Sequence, residues 1–171
     1  MSANTYDDIT AANSIDTTLG VSDGSKCHIR FNVMPERSVT EELTMREFRI
    51  GKTWIEAEFD RDYKSEMLNS PTHLTFVSAL IQMQKVTYVY CCSKFGFPID
   101  VAGNECLKVW PTDVHISMPG MVTIESGLVH RMDFIGFRKI EPRKYLAIAK
   151  SNISNTLEIN ASAIIQLLQE P

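Results

Sequence analysis

The sequence lacks the long apolar run of about 18 residues that a membrane-spanning helix would need. Its start does not combine basic residues with a following apolar run, so we expect no secretory signal peptide and a cytoplasmic location. With 44% hydrophobic and 22% charged residues, the 171-residue chain is typical of globular proteins and long enough for one domain with a substantial core.

Cysteine is scarce, and Cys27, Cys91, Cys92 and Cys106 have no spacing that is typical of a metal site. Adjacent Cys91 and Cys92 do not easily form a disulfide with each other. Without a secretion signal, we expect all the cysteines to be free thiols in a reducing compartment. We therefore predict no bound metal and no other cofactor.

Basic residues are absent from residues 1–25, whose four aspartates give this segment a charge of −4. Of the 21 acidic residues in the chain, 17 lie outside it and balance the 17 lysines and arginines. The basic surface that nucleic acid would require is therefore missing. The polar, aperiodic composition of residues 1–25 indicates a mobile tail, followed by a single domain over residues 26–171.

The first half of the chain shows strand patterns and then a helix. Apolar and polar residues alternate at 28–33 and 53–59, which predicts two strands. Residues 41–50 fit either a strand or a helix, and the charged segment 60–66 is expected to be a loop. The mostly apolar stretch 70–92 then predicts the one long helix of the chain.

The second half ends in strands. Residues 93–120 contain three glycines and three prolines, which indicates a long irregular connection with one short element at most. Alternation returns at 126–140, 143–151 and 156–168, and the short connections between these strands predict an antiparallel meander. An antiparallel sheet that covers one apolar helix is an α+β fold.

The start of the predicted helix carries a candidate catalytic residue. Ser70 suits the N-cap and Pro71 suits the first helical position, so His73 falls in the first turn. Backbone N–H groups and the positive end of the helix dipole would stabilise an oxyanion there. An exposed capping histidine fits the same position equally well.

Polar residues interrupt the apolar helix further along. At about 100° per residue, His73, Gln84 and Tyr88 fall within the apolar arc, whereas Gln82 and Lys85 fall on the solvated side. A buried amide needs a partner, so Gln84 either bonds to the backbone in the core or holds a water or carbonyl oxygen in a cleft. Tyr88, one turn further, is either a core residue or part of the same site. His73 cannot reach that site, because 11 residues span about 16 Å.

A second motif lies in the run Met118-Pro-Gly-Met-Val-Thr-Ile-Glu125. It is similar to the segment that opens the central helix of bacterial β-hydroxyacyl-carrier dehydratases, and it would make Glu125 and the preceding His115 catalytic. Only 46 of the 171 residues follow Glu125, too few to complete the sheet of such an enzyme. We therefore do not adopt this interpretation.

Two segments resemble the type III long-chain fatty acyl-CoA thioesterases of actinobacteria, which have the hotdog fold, one long helix wrapped by an antiparallel sheet. The first is Thr72-His-Leu, with Gln84 and Tyr88 at matching offsets. The second is the turn Phe137-Arg-Lys-Ile-Glu-Pro-Arg-Lys-Tyr145. The family has Asn where this chain has Gln84, and Tyr63 is the nearest replacement for a family tyrosine.

The resemblance implies a homodimer, or a higher homo-oligomer, with acyl sites between subunits. In such a site, Gln84 would orient the water or the thioester carbonyl and Tyr88 would hydrogen-bond to it. N–H groups between Asn69 and His73 would bind the oxyanion. The implied substrate-binding residues are Asn69, Thr72, Phe76, Leu80 and Met83 for the thioester and its acyl chain, and Arg138, Lys139, Arg143 and Lys144 for the phosphates of CoA or of a carrier-protein arm. A solvated charged turn is the simpler alternative for the four basic residues.

The function implied is an acyl thioesterase that hydrolyses acyl-CoA or acyl-carrier-protein thioesters in lipid or specialised-metabolite synthesis. No Ser-His-Asp or Cys-His arrangement stands out in the sequence, which favours direct attack by water. Two alternatives stay open. One is a dehydratase or isomerase of the same fold, with His73 or His115 and Glu125 as its acid–base pair, and the other is a non-catalytic acyl-binding dimer.

Overall fold

The computed structural model describes residues 29–34, 39–65, 73–99 and 106–170. Within these ranges the chain forms seven strands and one helix. Their bounds are β1 Ile29–Met34, β2 Val39–Ile50, β3 Trp54–Ser65, α1 Phe76–Phe95, β4 Leu107–Ser117, β5 Leu128–Glu141, β6 Lys144–Ile153 and β7 Leu157–Leu167. The predicted tail, residues 1–25, lies outside the described residues.

The strands form one antiparallel sheet in the order β1-β2-β3-β5-β6-β7-β4. The predicted meander is confirmed as β5, β6 and β7. Helix α1 links β3 to β4 at the far edge of the sheet, and its buried face contributes to the core. One long helix wrapped by an antiparallel sheet is the hotdog fold, so the predicted α+β hotdog fold is confirmed.

Strand β3 continues through the segment that was predicted to be a charged loop, and it ends at Ser65. Beyond Phe59 it pairs with β2 alone, so Asp62 and Lys64 remain exposed. Over this stretch β3 has no strand on its other side, and an edge tolerates charges that a central strand would not. The loop prediction was wrong for this reason. Arg61, also in this segment, is buried and forms an ion pair that is described below.

The irregular connection predicted for residues 93–120 contains an 11-residue strand, β4. Pro111 lies within β4, next to a register shift between Pro111 and Asp113. Because β4 is an edge strand, it needs hydrogen bonds on one side only and tolerates a proline. Because of the proline and the register shift, the sequence pattern did not predict this strand.

Helix α1 begins later than predicted. Its N-cap is Thr75, whose hydroxyl accepts the N–H of Ser78 at 3.1 Å, and its C-cap is Gly96, which has the left-handed φ of 73°. His73 therefore precedes the helix instead of lying in its first turn. Ser70 and Pro71 lie outside the described residues.

The buried face of α1 also differs from the predicted one. Gln82, expected in solvent, is fully buried, and Lys85 is half-buried. Phe76 and Val77, expected in the apolar arc, are 56% and 43% exposed. Apolar residues occur around most of the helix, so their pattern barely distinguishes its faces.

A buried ion pair joins the sheet to the start of α1. The Nε of Arg61 donates to Oε1 of Glu41 at 2.5 Å, and both side chains are fully buried. In the first helical turn, the hydroxyl of Ser78 donates to Oε2 of Glu41 at 2.5 Å. Arg61 also donates from its guanidinium to the carbonyl of His73 at 2.9 Å and from its backbone to the carbonyl of Glu125 at 2.7 Å. The pair thus fixes β2, β3, the helix start and the segment before β5 relative to one another.

Three polar side chains lie in the core without a hydrogen-bond partner among the described residues. Gln82 and His130 are fully buried, and Ser151 is nearly so. The ring of His130 lies 6.5 Å from that of Phe59, centroid to centroid. Burial lowers the pKa of His130 to about 3, so its imidazole stays neutral in the folded protein.

We expect Glu41→Gln to lower the free energy of unfolding by about 3–5 kcal/mol, because it leaves the Arg61 charge buried without a counter-ion. Urea denaturation measures this loss. Glu56→Gln is the matched control, since Glu56 pairs with the exposed Arg49 across the same two strands and its loss should cost less than about 1 kcal/mol. Similar small losses in both variants would contradict the importance of the buried pair.

Acid should destabilise the protein through His130. The unfolded histidine binds a proton near pH 6.5, whereas the folded one does so only near pH 3, so stability falls as the pH drops below 6.5. At pH 5 this loss is about 2 kcal/mol relative to pH 7. Urea unfolding of His130→Leu at both pH values should lack this difference, and His115→Gln, at an exposed site, should retain it. A His130→Leu variant with the wild-type pH dependence would show that another group is responsible.

Candidate functional site

A cleft of about 270 Å³ lies between α1 and the edge strand β4. Its lining residues are Gln84, Lys85, Tyr88, Lys108, Val109 and Trp110. The helix supplies the first three from one turn, and β4 supplies the last three. The cleft therefore exists because β4 ends the sheet and leaves the side of the helix uncovered.

Gln84 and Tyr88 meet at this cleft, as their four-residue spacing predicts. Gln84 is half-buried, whereas Tyr88 is mostly buried and its hydroxyl lies 3.4 Å from the Sγ of Cys106. Burial, and next the bond to Cys106, raise the pKa of Tyr88. The phenol therefore stays protonated and keeps its hydroxyl hydrogen.

Three lining residues were missed by sequence reasoning because they lie on β4, the strand that was not predicted. Lys108 is exposed, Val109 is half-buried, and Trp110 is 57% exposed. With Lys85, Lys108 gives the cleft two positive charges. Trp110 adds a large apolar surface at its mouth, and a tryptophan inside an apparently irregular segment was the available sequence signal.

His73 and Tyr63 do not line this cleft. His73 is half-buried in the segment before α1, and its carbonyl accepts from Arg61. Tyr63 lies on β3, with the guanidinium carbon of Arg61 4.7 Å from the centre of its ring. Both residues thus gather at the buried ion pair near the start of the helix, while Gln84 and Tyr88 lie two to three turns further along.

The residues predicted to bind the acyl chain have different environments. Phe76 is exposed and Leu80 half-buried, so both are accessible from outside the chain. Met83 is 3% exposed and belongs to the core. Asn69 and Thr72 lie outside the described residues.

The basic residues of the second resemblance segment lie at the turn between β5 and β6. Arg138, Lys139 and Arg143 are exposed, and the half-buried Lys144 donates to Glu141 at 2.6 Å. The aromatic residues at the two ends of the segment, Phe137 and Tyr145, both pack against Phe95 at the end of α1. This packing holds the hairpin against the helix.

His115 and Glu125 do not share a site within the chain. His115 is exposed on β4, opposite Asn160 of β7. Glu125 is exposed next to β3, where its carbonyl accepts from Arg61. Four strand spacings, about 19 Å along the sheet, separate β3 from β4.

Within the described residues, no three His, Cys, Asp or Glu side chains are grouped so that they would hold a metal ion. The helix that the structure describes is not apolar enough over its length to cross a membrane.

Similarity to known proteins is low in sequence and partial in structure. No family model matches the sequence, and no curated protein is similar enough to match it. A thioesterase from Haemophilus influenzae is 14% identical with a TM-score of 0.45, over 75% of this chain and 80% of that one. A mutant thioesterase from Pseudomonas aeruginosa is 7% identical with a TM-score of 0.44, over 74% of this chain and 82% of that one.

Proposed function

We propose that the protein is an acyl thioesterase that hydrolyses an acyl-CoA or acyl-carrier-protein thioester. The observation that carries this proposal is the position of Gln84 and Tyr88, an amide and a protonated phenol one turn apart at the same cleft. Both are polar groups at a partly apolar site, as ligand sites require. The sequence resemblance to type III acyl-CoA thioesterases includes the same two positions.

The two side chains would position the reactants without taking a proton from them. The amide of Gln84 would hold the attacking water or the thioester carbonyl, and the hydroxyl of Tyr88 would donate to the oxygen on which negative charge develops. The water oxygen attacks the carbonyl carbon, the carbon–sulfur bond breaks, and one proton of the water ends on the leaving sulfur. The products are a carboxylic acid and a free thiol.

A covalent acyl-enzyme route through Cys91 or Cys92 is disfavoured. Burial raises the pKa of Cys92 to about 12, and burial also raises the pKa of Cys91. Since the thiolate is the nucleophilic form of cysteine, neither of these two thiols is activated to compete with direct attack by water.

The positive charges suit the phosphates that both substrate classes carry. Lys85 and Lys108 lie at the cleft itself, and an ammonium group recognises phosphate as a point charge. Arg138, Lys139 and Arg143 are exposed at the β5–β6 turn and would bind the more distant phosphates of CoA. A carrier-protein arm has a single phosphate, so it would need fewer of these residues.

A homodimer would cover the exposed side of α1 and complete the site. Phe76 and Val77 are exposed there, with the half-buried Leu80 and Ile81 on the following turn. In the dimer, N–H groups of the first turn of one subunit's helix would approach the cleft of the other and bind the oxyanion. This arrangement joins the helix start, where His73 and Tyr63 lie, to the Gln84–Tyr88 cleft.

We expect Gln84→Ala and Tyr88→Phe each to lower kcat/KM for thioester hydrolysis at least tenfold, about 1.4 kcal/mol of barrier, because each removes a hydrogen bond to the reacting groups. Release of free thiol from a panel of acyl-CoAs and acyl-carrier proteins is the measurement. Gln82→Met is the matched control on the same helix, since it replaces a buried amide away from the cleft. It should retain activity.

The products separate the remaining functions. A conjugated enoyl product without thiol release would indicate a dehydratase or isomerase. Stabilisation by acyl ligands without turnover would indicate an acyl-binding protein. If Gln84→Ala retains full activity, Gln84 is not part of the catalytic site.

We expect Val77→Glu to dissociate the dimer, because it places a charge at an apolar interface, and to lower turnover at least tenfold if the partner completes the site. Sedimentation velocity measures the first effect and thiol release the second. Ile135→Glu is the control, since Ile135 is 60% exposed on a sheet strand away from the helix. A monomeric wild-type protein with full activity would contradict the shared site.

A further inference from the structure

Two thiols lie in contact directly behind the cleft. Cys92 is in the last turn of α1 and Cys106 immediately precedes β4, and their Sγ atoms are 3.8 Å apart. The hydroxyl of Tyr88, which lines the cleft, lies 3.4 Å from the Sγ of Cys106. The thiol pair thus bridges the same two elements, α1 and β4, that form the walls of the cleft.

The separation of these sulfur atoms is that of a reduced pair in van der Waals contact. A disulfide bond is about 2.0 Å long, so the two sulfurs must approach by about 1.8 Å. Rotation of a cysteine side chain about its Cα–Cβ bond moves the sulfur by a distance of this order. Cys91 is adjacent in sequence but points about 100° away around the helix.

We propose that Cys92 and Cys106 form a site of reversible oxidation, which a peroxide converts from a thiol pair to a disulfide bond. This site is additional to the thioesterase function proposed above. Since Cys92 and Cys106 belong to different elements, the new bond would fasten the end of the helix to the edge strand.

The oxidation takes place in two balanced steps. The Cys106 sulfur gives up its proton and attacks one peroxide oxygen, the O–O bond breaks, and the other oxygen leaves as water. Cys106 is then a sulfenic acid. The Cys92 sulfur attacks the Cys106 sulfur, the S–O bond breaks, and the leaving hydroxide takes the Cys92 proton as a second water.

The order of the steps follows from the surroundings of the two thiols. Cys106 is 6% exposed and touches Tyr88 at the cleft, whereas Cys92 has no exposed surface. Burial also raises the pKa of Cys92 to about 12, so its thiol is a poor first nucleophile. Once Cys106 is oxidised, the contact between the sulfurs gives Cys92 a very high effective concentration.

The disulfide would change the candidate site. Tyr88 would lose a thiol as its hydrogen-bond partner, and the cleft would be fixed in width at one end. We therefore expect the oxidised protein to hydrolyse thioesters at least threefold more slowly, an expectation that rests on the proposed function. The oxidation itself is measured independently of activity.

The test uses the full chain with Cys27→Ser and Cys91→Ser, in which Cys92 and Cys106 are the remaining cysteines. The folded, reduced protein is treated with a small excess of hydrogen peroxide, denatured and alkylated. Its intact mass is then measured by mass spectrometry. We expect both thiols to resist alkylation, a mass loss of about 2 Da, and recovery of both thiols with dithiothreitol. Adding Cys92→Ser should instead leave a sulfenic acid on Cys106 that dimedone traps.

Two alkylatable thiols after peroxide treatment, or irreversible gain of two or three oxygens on one cysteine, would overturn the proposal. The same differential alkylation on the wild-type protein, followed by peptide mapping, repeats the test without relying on the stability of the variant. In that experiment a cross-link between the peptides of Cys92 and Cys106 supports the proposal. Its absence, with both peptides alkylated, contradicts it.

Discussion

The position of helix α1 depends on the buried ion pair of Glu41 and Arg61. Burying two charges costs free energy, and here the carboxylate is also bonded by Ser78 while the guanidinium is bonded to the carbonyl of His73. Because Ser78 must face the sheet, the rotation of the helix is determined. At about 100° per residue, Gln84 and Tyr88 then fall on one side of the helix, about 120° and 80° around its axis from Ser78. The cleft beside β4 lies on that side.

The other end of the helix is held by aromatic contacts. The ring of Tyr90 stacks on that of Phe134 at 3.9 Å, and its hydroxyl donates to the carbonyl of Lys52 at 2.9 Å. Phe95 packs against Phe137 and Tyr145. With both ends fixed to the sheet, the helix presents a rigid row of side chains to the edge strand, as a site that orients reactants requires.

The sequence predicted the parts of the structure that depend on local patterns. The alternation of apolar residues found β5, β6 and β7, and the four-residue spacing of Gln84 and Tyr88 placed them together. Local patterns gave wrong predictions for Arg61, Gln82 and β4. Arg61 is buried in an ion pair with Glu41, which lies 20 positions earlier in the chain, and no local pattern shows such a contact. Gln82 lies on a helix that is apolar on most sides, and β4 is an edge strand that tolerates Pro111.

The most direct test of the proposed site is a crystal structure with a non-hydrolysable thioether analogue of an acyl-CoA. We predict that the thioether sulfur and the methylene that replaces the carbonyl lie between α1 and β4, beside a water held by Gln84 and Tyr88. The apolar chain should extend along Phe76 and Leu80. An analogue bound away from this cleft would contradict the assignment of the site. So would an analogue that does not bind when it is in large excess over the protein.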